Sequence, residues 1–315
     1  MTRSLVTGGF GFIGRFLTGQ LLEAGDSVML LDVVGDDAFL QGLEGDVRAV
    51  RGSVASWADV LEPCLQFNPD RIFHTGALLP PASESAPYNS FQVNIAGTFN
   101  VLEAARLCGV NQVVYASSVA SYGPDAPTEL VPNDFSQHPT GFYGVSKVCS
   151  ERMGEYYQRR YGLDFRAIRF PPIFGPGRGA ASGWTAYTSL AIEEPAQGRP
   201  YALKVEPETA TGILYVRDAS RSLIDLSNGE STRLTSRSYS IHGYVVTAGE
   251  LAAAVGRHIP GADITFEPDP RTVQFVNSIP RQLDDSRARA DWDWQPRYML
   301  HDAIEDFVEI VRSRR

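Results

Sequence analysis

The stretch TGGFGFIG at residues 7–14 limits the possible folds of this chain more than any other. Gly8, Gly11 and Gly14 fall between a short apolar strand, SLVT, and a helical apolar spacing, FIGRFLTGQLLEAG, that stops at Gly25. In a strand–turn–helix unit Gly8 permits the tight turn, Gly11 lets a pyrophosphate approach the backbone, and Gly14 lets helix and strand pack closely. The helix N-terminus then offers free N–H groups and partial positive charge to the phosphates. The next strand, SVMLLD, ends on Asp32. A carboxylate about 20 residues beyond such glycines accepts hydrogen bonds from both adenosine ribose hydroxyls. It would repel a 2′-phosphate, and no Arg follows it, so the expected cofactor is NAD rather than NADP. A plain glycine turn followed by a capping Asp would look similar, but strand, spacing and acid agree on the dinucleotide.

The first half of the chain alternates strand and helix patterns. Strands are expected at DVRAVRGSV, DRIFHTGA, NQVVYASS and DFRAIRF. Helices are expected at VASWADVLEPCLQF, NSFQVNIAGTFNVLEAARLCG and from about Tyr143 to Tyr161. Strict alternation implies an α/β fold, a doubly wound parallel sheet covered by helices on both faces. After Phe170 the pattern loosens into the Pro- and Gly-rich PPIFGPGRGAASG. The expected organisation is a Rossmann-type NAD-binding domain over 1–170, to which 211–245 return. A smaller substrate-binding lobe takes 171–210 and 246–315.

In a doubly wound sheet, ligands sit beyond the carboxyl ends of the strands. The segment VVYASSVASYG delivers Ser117 and Ser118 there, and YGVSK delivers Tyr143 with Lys147 one helical turn later. A phenol near its free pKa of about 10 is a poor base at neutral pH. A neighbouring ammonium and a positive nicotinamide ring would both favour the phenolate. Tyr143 and Lys147 are therefore expected to form a proton-transfer pair once a dinucleotide lies beside them.

Together TGGFGFIG, SSVASYG, YGVSK and ILYVRDASR resemble the extended short-chain dehydrogenase/reductase (NAD-dependent epimerase/dehydratase) family over essentially the whole chain. Within that family the likeness runs to the short-chain L-threonine dehydrogenase-like branch, through SSVASYGP, LKVEPETATGILYVRD and LDDSRARADWDWQP. The resemblance implies that Tyr143 is the general base. Lys147 would hold the nicotinamide ribose and tune Tyr143, and Ser118 would orient the reacting oxygen. It implies further cofactor contacts at Phe12 and Ile13, at Ser53 and Val54 by the adenine, at Thr75, Gly76 and Ala77, and at Ser117. Asn94 would pack under the cofactor. It also implies a homodimer joined through two long helices, at about 89–108 and 142–161. Some positions depart from the pattern. Ser53 stands where an Asp is usual, and LLPPASES replaces the usual substrate loop. AASGWTAY puts Trp184 near the expected pocket, which speaks against threonine itself as the substrate. Thr211 occupies the place of an Arg that binds diphosphate in the nucleotide-sugar branch, and Arg178 is either its substitute or simply a solvated side chain.

Composition narrows the remaining choices. The net charge is -9 over 315 residues, without a basic cluster, so no nucleic-acid partner is expected. No apolar run approaches the roughly 20 residues of a membrane span. The N-terminus enters the glycine turn too soon for a signal peptide. Cys64, Cys108 and Cys149 lack CxxC spacing and the five His are dispersed, which suits a reduced cytoplasmic protein without a metal site. The expected activity is oxidation of a secondary hydroxyl on a small hydroxy acid, amino alcohol or sugar derivative. A nucleotide-sugar epimerase or dehydratase would use the same Ser, Tyr and Lys, although Val119 and Ala120 leave a dehydratase without its extra acid. A redox-sensing binding module would keep the glycine turn and lose Tyr or Lys, and this chain has both.

Overall fold

The computed structural model describes residues 1–179 and 183–314. The strands are β1 (Arg3–Thr7), β2 (Ser27–Asp32), β3 (Val47–Arg51), β4 (Arg71–His74), β5 (Gln112–Ser118), β6 (Asp164–Phe170), β7 (Ile173–Phe174), β8 (Tyr201–Leu203), β9 (Ala210–Tyr215), β10 (Ser238–Ser240), β11 (Tyr244–Thr247) and β12 (Ile264–Phe266). The helices that matter for the site are α1 (Phe12–Glu23), α2 (Trp57–Phe67), α3 (Gly97–Leu107), α4 (Phe142–Tyr161), α5 (Val216–Asn228) and α6 (Pro270–Ser278). A π-helical stretch, Phe91–Ala96, leads into α3.

The main sheet is parallel throughout, in the order β10-β6-β5-β4-β1-β2-β3, and the chain winds outward from β1 in both directions. This is the doubly wound architecture that the alternation implied. Successive side chains on a strand face opposite ways, and both faces of the strands inside the edge strand β3 are buried. Val6 and Val114 join Leu17, Leu21 and Leu223 on the α1/α5 side. Leu5 and Val113 join Val60, Val101 and Phe165 on the α2/α3/α4 side. Such strands read as continuous apolar runs because neither face meets water.

A second core gathers Phe174, Ile192, Leu203, Val246, Leu251 and Phe307 around a three-stranded sheet, β11-β9-β7. Within 211–245, β9 runs in that smaller sheet, whereas α5 packs on α1 and β10 adds to the main sheet beside β6. Trp292 and Trp294, near the C-terminus, lie in the main core.

Helix α4 inverts the usual pattern. Its buried face carries Gly144, Lys147, Ser150, Glu151 and Gly154, with few large apolar groups. Gly144 allows the close approach: a Cβ there would stand 2.1 Å from the Ala120 carbonyl oxygen. That contact sets Tyr143 beside the end of β5. The helix starts on a carboxylate borrowed from the short helix Ala82–Ser85, because Glu84 accepts from the backbone N–H of Phe142 and of Tyr143, each at 2.9 Å.

Candidate active site

One cavity of 670 Å³ lies over the carboxyl ends of the main strands and continues under the second core. At one end are the β1–α1 turn and Asp32. Gly8 has φ +71, and a Cβ on it would lie 2.7 Å from the backbone of Gly76, so a side chain would push the turn into the neighbouring loop. Among the described residues no side chain caps the N-terminus of α1, and its first turn holds no acid, so its N–H groups suit an anion. Asp32 accepts from the Phe10 N–H through Oδ2 at 3.0 Å, which fixes the carboxylate at the cavity wall. A glycine cradle, uncapped helix donors and an oriented acid fit a dinucleotide such as NAD.

Ser53, Val54, Thr75, Gly76, Ala77, Phe12, Ile13 and Ser117 line this same cavity, as do Ser118, Tyr143 and Lys147. Asn94 stands behind it. Its side chain accepts from Leu78 N–H at 2.8 Å and donates to Leu78 C=O at 3.0 Å, clamping the loop that forms the wall. The Ser53 backbone is held by Asp59 at 2.8 Å.

Lys147, only 3 % exposed, donates from Nζ to the Ala116 carbonyl at 2.6 Å. Its ammonium lies 4.5 Å from the centre of the Tyr115 ring and 5.3 Å from that of Tyr143. Burial pulls its pKa down to about 7, against the opposing charge of Glu151. Burial pushes the Tyr143 phenol up, while the hydrogen-bonded Ser118 hydroxyl and the charge of Arg178 pull it down. Arg178 is thus a further cation at the phenol, beside the Lys147 ammonium that lies 5.3 Å from its ring. That guanidinium donates to the Ile173 carbonyl and, through Nη2, to Thr185 Oγ1 at 2.7 Å. Burial lowers its pKa to about 10.

Sequence reasoning missed the support behind the site. The Glu151 carboxylate, 0 % exposed, accepts from Ser117 Oγ at 2.5 Å and from Arg169 Nη2 at 2.7 Å. Arg169 Nη1 donates in turn to Tyr122 OH at 3.1 Å. Glu151 follows Lys147 by one helical turn, as Lys147 follows Tyr143, so a four-residue polar period could have revealed it. Phe275 and Ile279, at the far wall, carry no local signal of that kind. Trp184 does line the cavity, and the centre of its ring is 4.4 Å from that of Phe275. Residues 180–182 of AASGWTAY lie outside the described residues. Thr211 is buried, with its hydroxyl 2.6 Å from Tyr187 OH. Among the described residues no cluster of His, Cys, Asp or Glu could hold a metal, and no helix is long and apolar enough to cross a membrane.

Residues 4–228 match the family model described as the NAD dependent epimerase/dehydratase family. The mitochondrial L-threonine 3-dehydrogenase of Bos taurus is 31% identical over 99% of this chain and 83% of its own. The holo form of the GalE-like L-threonine dehydrogenase from Cupriavidus necator superposes with a TM-score of 0.89 at 29% identity, covering 98% of this chain and 99% of that one. The UDP-glucose 4-epimerase of Thermotoga maritima, solved with UDP-glucose, gives a TM-score of 0.85 at 22% identity over 99% of both chains, a likeness of fold alone.

Proposed function

Because the chain belongs to the NAD-dependent epimerase/dehydratase family, we propose that it is a dehydrogenase oxidising a secondary hydroxyl of a small hydroxy acid, amino alcohol or sugar derivative. The supporting observation is the continuity of the cavity, which runs from the glycine turn and Asp32 past Lys147, Tyr143 and Ser118 to Arg178 and Trp184. The α1 N-terminus would hold the pyrophosphate of NAD, Asp32 the adenosine ribose, Ser53 and Val54 the adenine, and Lys147 the nicotinamide ribose. Bound there, the cofactor supplies the hydride acceptor.

The protein's part is orientation and proton transfer. Ser118 and Tyr143 receive the substrate hydroxyl between them, and the phenolate takes its proton. Arg178 and Ser118 offset the burial that otherwise disfavours phenolate. The Glu151–Arg169 pair fixes Ser117 and supports the charge on Lys147. The lobe of 171–210 and 246–315 forms the substrate side.

The test is NADH absorbance with purified protein, excess NAD and a panel of hydroxy acids, amino alcohols, sugars and nucleotide sugars, beside Tyr143→Phe. Accumulating NADH that depends on Tyr143 supports the dehydrogenase. Interconversion of a nucleotide sugar with no accumulating NADH would establish the epimerase instead.

The chain is also proposed to be a homodimer. Phe99 and Leu107 on α3, and Tyr156 and Tyr161 on α4, are large apolar or aromatic side chains left 46%, 54%, 50% and 46% exposed on the two helices that the resemblance assigns to the dimer seam. Two-fold pairing is the commonest way to cover such a face. The three free cysteines suit a reducing compartment, and the cytoplasm is the proposed location.

A further inference from the structure

The substrate end of the cavity mixes two kinds of surface. Trp184 and Leu79 both line it, yet they remain 47% and 46% exposed. Large apolar side chains left open inside a concave site mark a place where a ligand covers them. Trp184 leans on Phe275 of α6, so two segments distant in sequence make one aromatic wall. The next residue, Thr185, holds the guanidinium of Arg178 through its hydroxyl, and the Ile173 carbonyl holds it from the other side. The guanidinium is thereby held at the cavity wall, where its charge acts on Tyr143, and a guanidinium is the side chain whose chemistry best matches a carboxylate.

We infer that the substrate is a hydroxy carboxylate whose carbinol carbon bears an aromatic or branched-alkyl group, with the carboxylate on Arg178 and the apolar group on the Trp184–Phe275 wall. This rests on the dehydrogenase reading and narrows its substrate class. A methyl group on the carbinol would leave the wall facing water, whereas a phenyl ring covers it. A nucleotide diphosphate fits less well, since the strand position that would serve it holds Thr211, engaged with Tyr187.

Binding and turnover test the inference separately. Purified full-length protein loaded with NADH is titrated with three unreactive probes: 3-phenylpropanoate, butanoate and 3-phenylpropanamide. The phenyl acid should bind about tenfold or more tightly than either of the others, since even one methylene in an apolar pocket is worth about tenfold. Trp184→Thr should erase the preference for phenyl, and Arg178→Gln the preference of acid over amide. Phe275→Ala serves as a second test of the wall should Trp184→Thr fail to fold. In turnover with NAD, 3-phenylserine should exceed threonine in kcat/KM by a similar factor, and the advantage should vanish in the wall variants. Equal binding of butanoate and phenylpropanoate, or a phenyl preference that survives loss of the wall, overturns the inference. Probe binding as described, without NAD reduction by any hydroxy acid, leaves the site standing and removes the dehydrogenase reading.

Discussion

The two ends of the cavity are built by different means. The cofactor end is made of backbone and short polar groups: the Gly8 turn against Gly76, the uncapped start of α1, and Asp32 fixed by the Phe10 N–H. Each lies within a few residues of a strand end, so its placement follows from the sheet. The substrate end is made of side chains from remote segments, Leu79, Trp184 and Phe275 among them. A dinucleotide has fixed chemistry and needs fixed donors, whereas an apolar wall can be rebuilt from any side chains of suitable volume. Substitutions at the first end should therefore act through geometry, and those at the second mainly through specificity.

The largest effect is expected where the ends meet. Tyr143→Phe removes one oxygen from a half-buried ring and leaves both cavity walls in place. A positioned general base contributes about 10²- to 10⁴-fold, so kcat should fall by that much while NAD affinity and Tm stay near wild type. A variant that keeps more than a tenth of wild-type kcat would remove Tyr143 from the role of base.

Next in size is the pair behind the cofactor end. Glu151→Gln leaves the Arg169 guanidinium, with a side chain 7% exposed, without its carboxylate partner. Breaking a buried pair from one side costs about 3–5 kcal/mol. Urea unfolding should show that loss, and the double variant Glu151→Gln, Arg169→Met should recover part of it. Equal stability of the single and double variants would mean that Arg169 finds other partners. Gly8→Ala should be milder for the fold. The left-handed backbone costs a residue with a Cβ about 1–2 kcal/mol, and because that Cβ would stand 2.7 Å from the Gly76 backbone the turn must shift from its phosphate-binding geometry. NAD affinity should drop about tenfold or more by titration, with the apolar probes still bound in the presence of excess cofactor. If both ligands weaken together, the two ends are one mechanical unit and the contrast fails.

This contrast also explains what could be read from the sequence. The glycine turn, Asp32, Ser118, Tyr143 and Lys147 lie at strand ends or one helical turn beyond, where period and position carry the signal. All of them line the cavity. Asn94 was legible as part of the pattern but not as a clamp on Leu78, because its partner is set by tertiary packing. Glu151 sat in view, one turn past Lys147, yet a charged residue on a helix usually marks a solvated face. Its partner on β6, Arg169, is adjacent only once the sheet forms. Phe275 reaches the site from a helix that follows the whole main sheet in sequence, and no local pattern pairs it with Trp184. The positive charge of Arg178 beside Tyr143 also escapes local reading, because Arg178 follows β6 in sequence and reaches Tyr143 only in the folded chain.

The smallest effect at neutral pH, and the sharpest test of the contrast, concerns His74. It is 1% exposed at the end of β4, with Nδ1 2.6 Å from Thr7 Oγ1 and Nε2 3.0 Å from Thr98 Oγ1. This bridge joins β1, just before the glycine turn, to α3. Burial, reinforced by the charge of Lys147, lowers its pKa from 6.5 to about 3. Between those values the unfolded chain binds a proton that the folded chain refuses. The stability tied to neutral His74 is therefore complete above about pH 6.5 and is lost as pH falls toward 3. Urea midpoints should decline across that window in the wild type and less steeply in His74→Gln, with little difference between them at pH values above it. The strain falls on the cofactor end, so NAD affinity should weaken on acidification before the affinity for an uncharged apolar probe does. Parallel decline of the two affinities, or equal slopes for wild type and His74→Gln, would mean that the acid sensitivity lies elsewhere and that the polar framework under the glycine turn is not the weaker half.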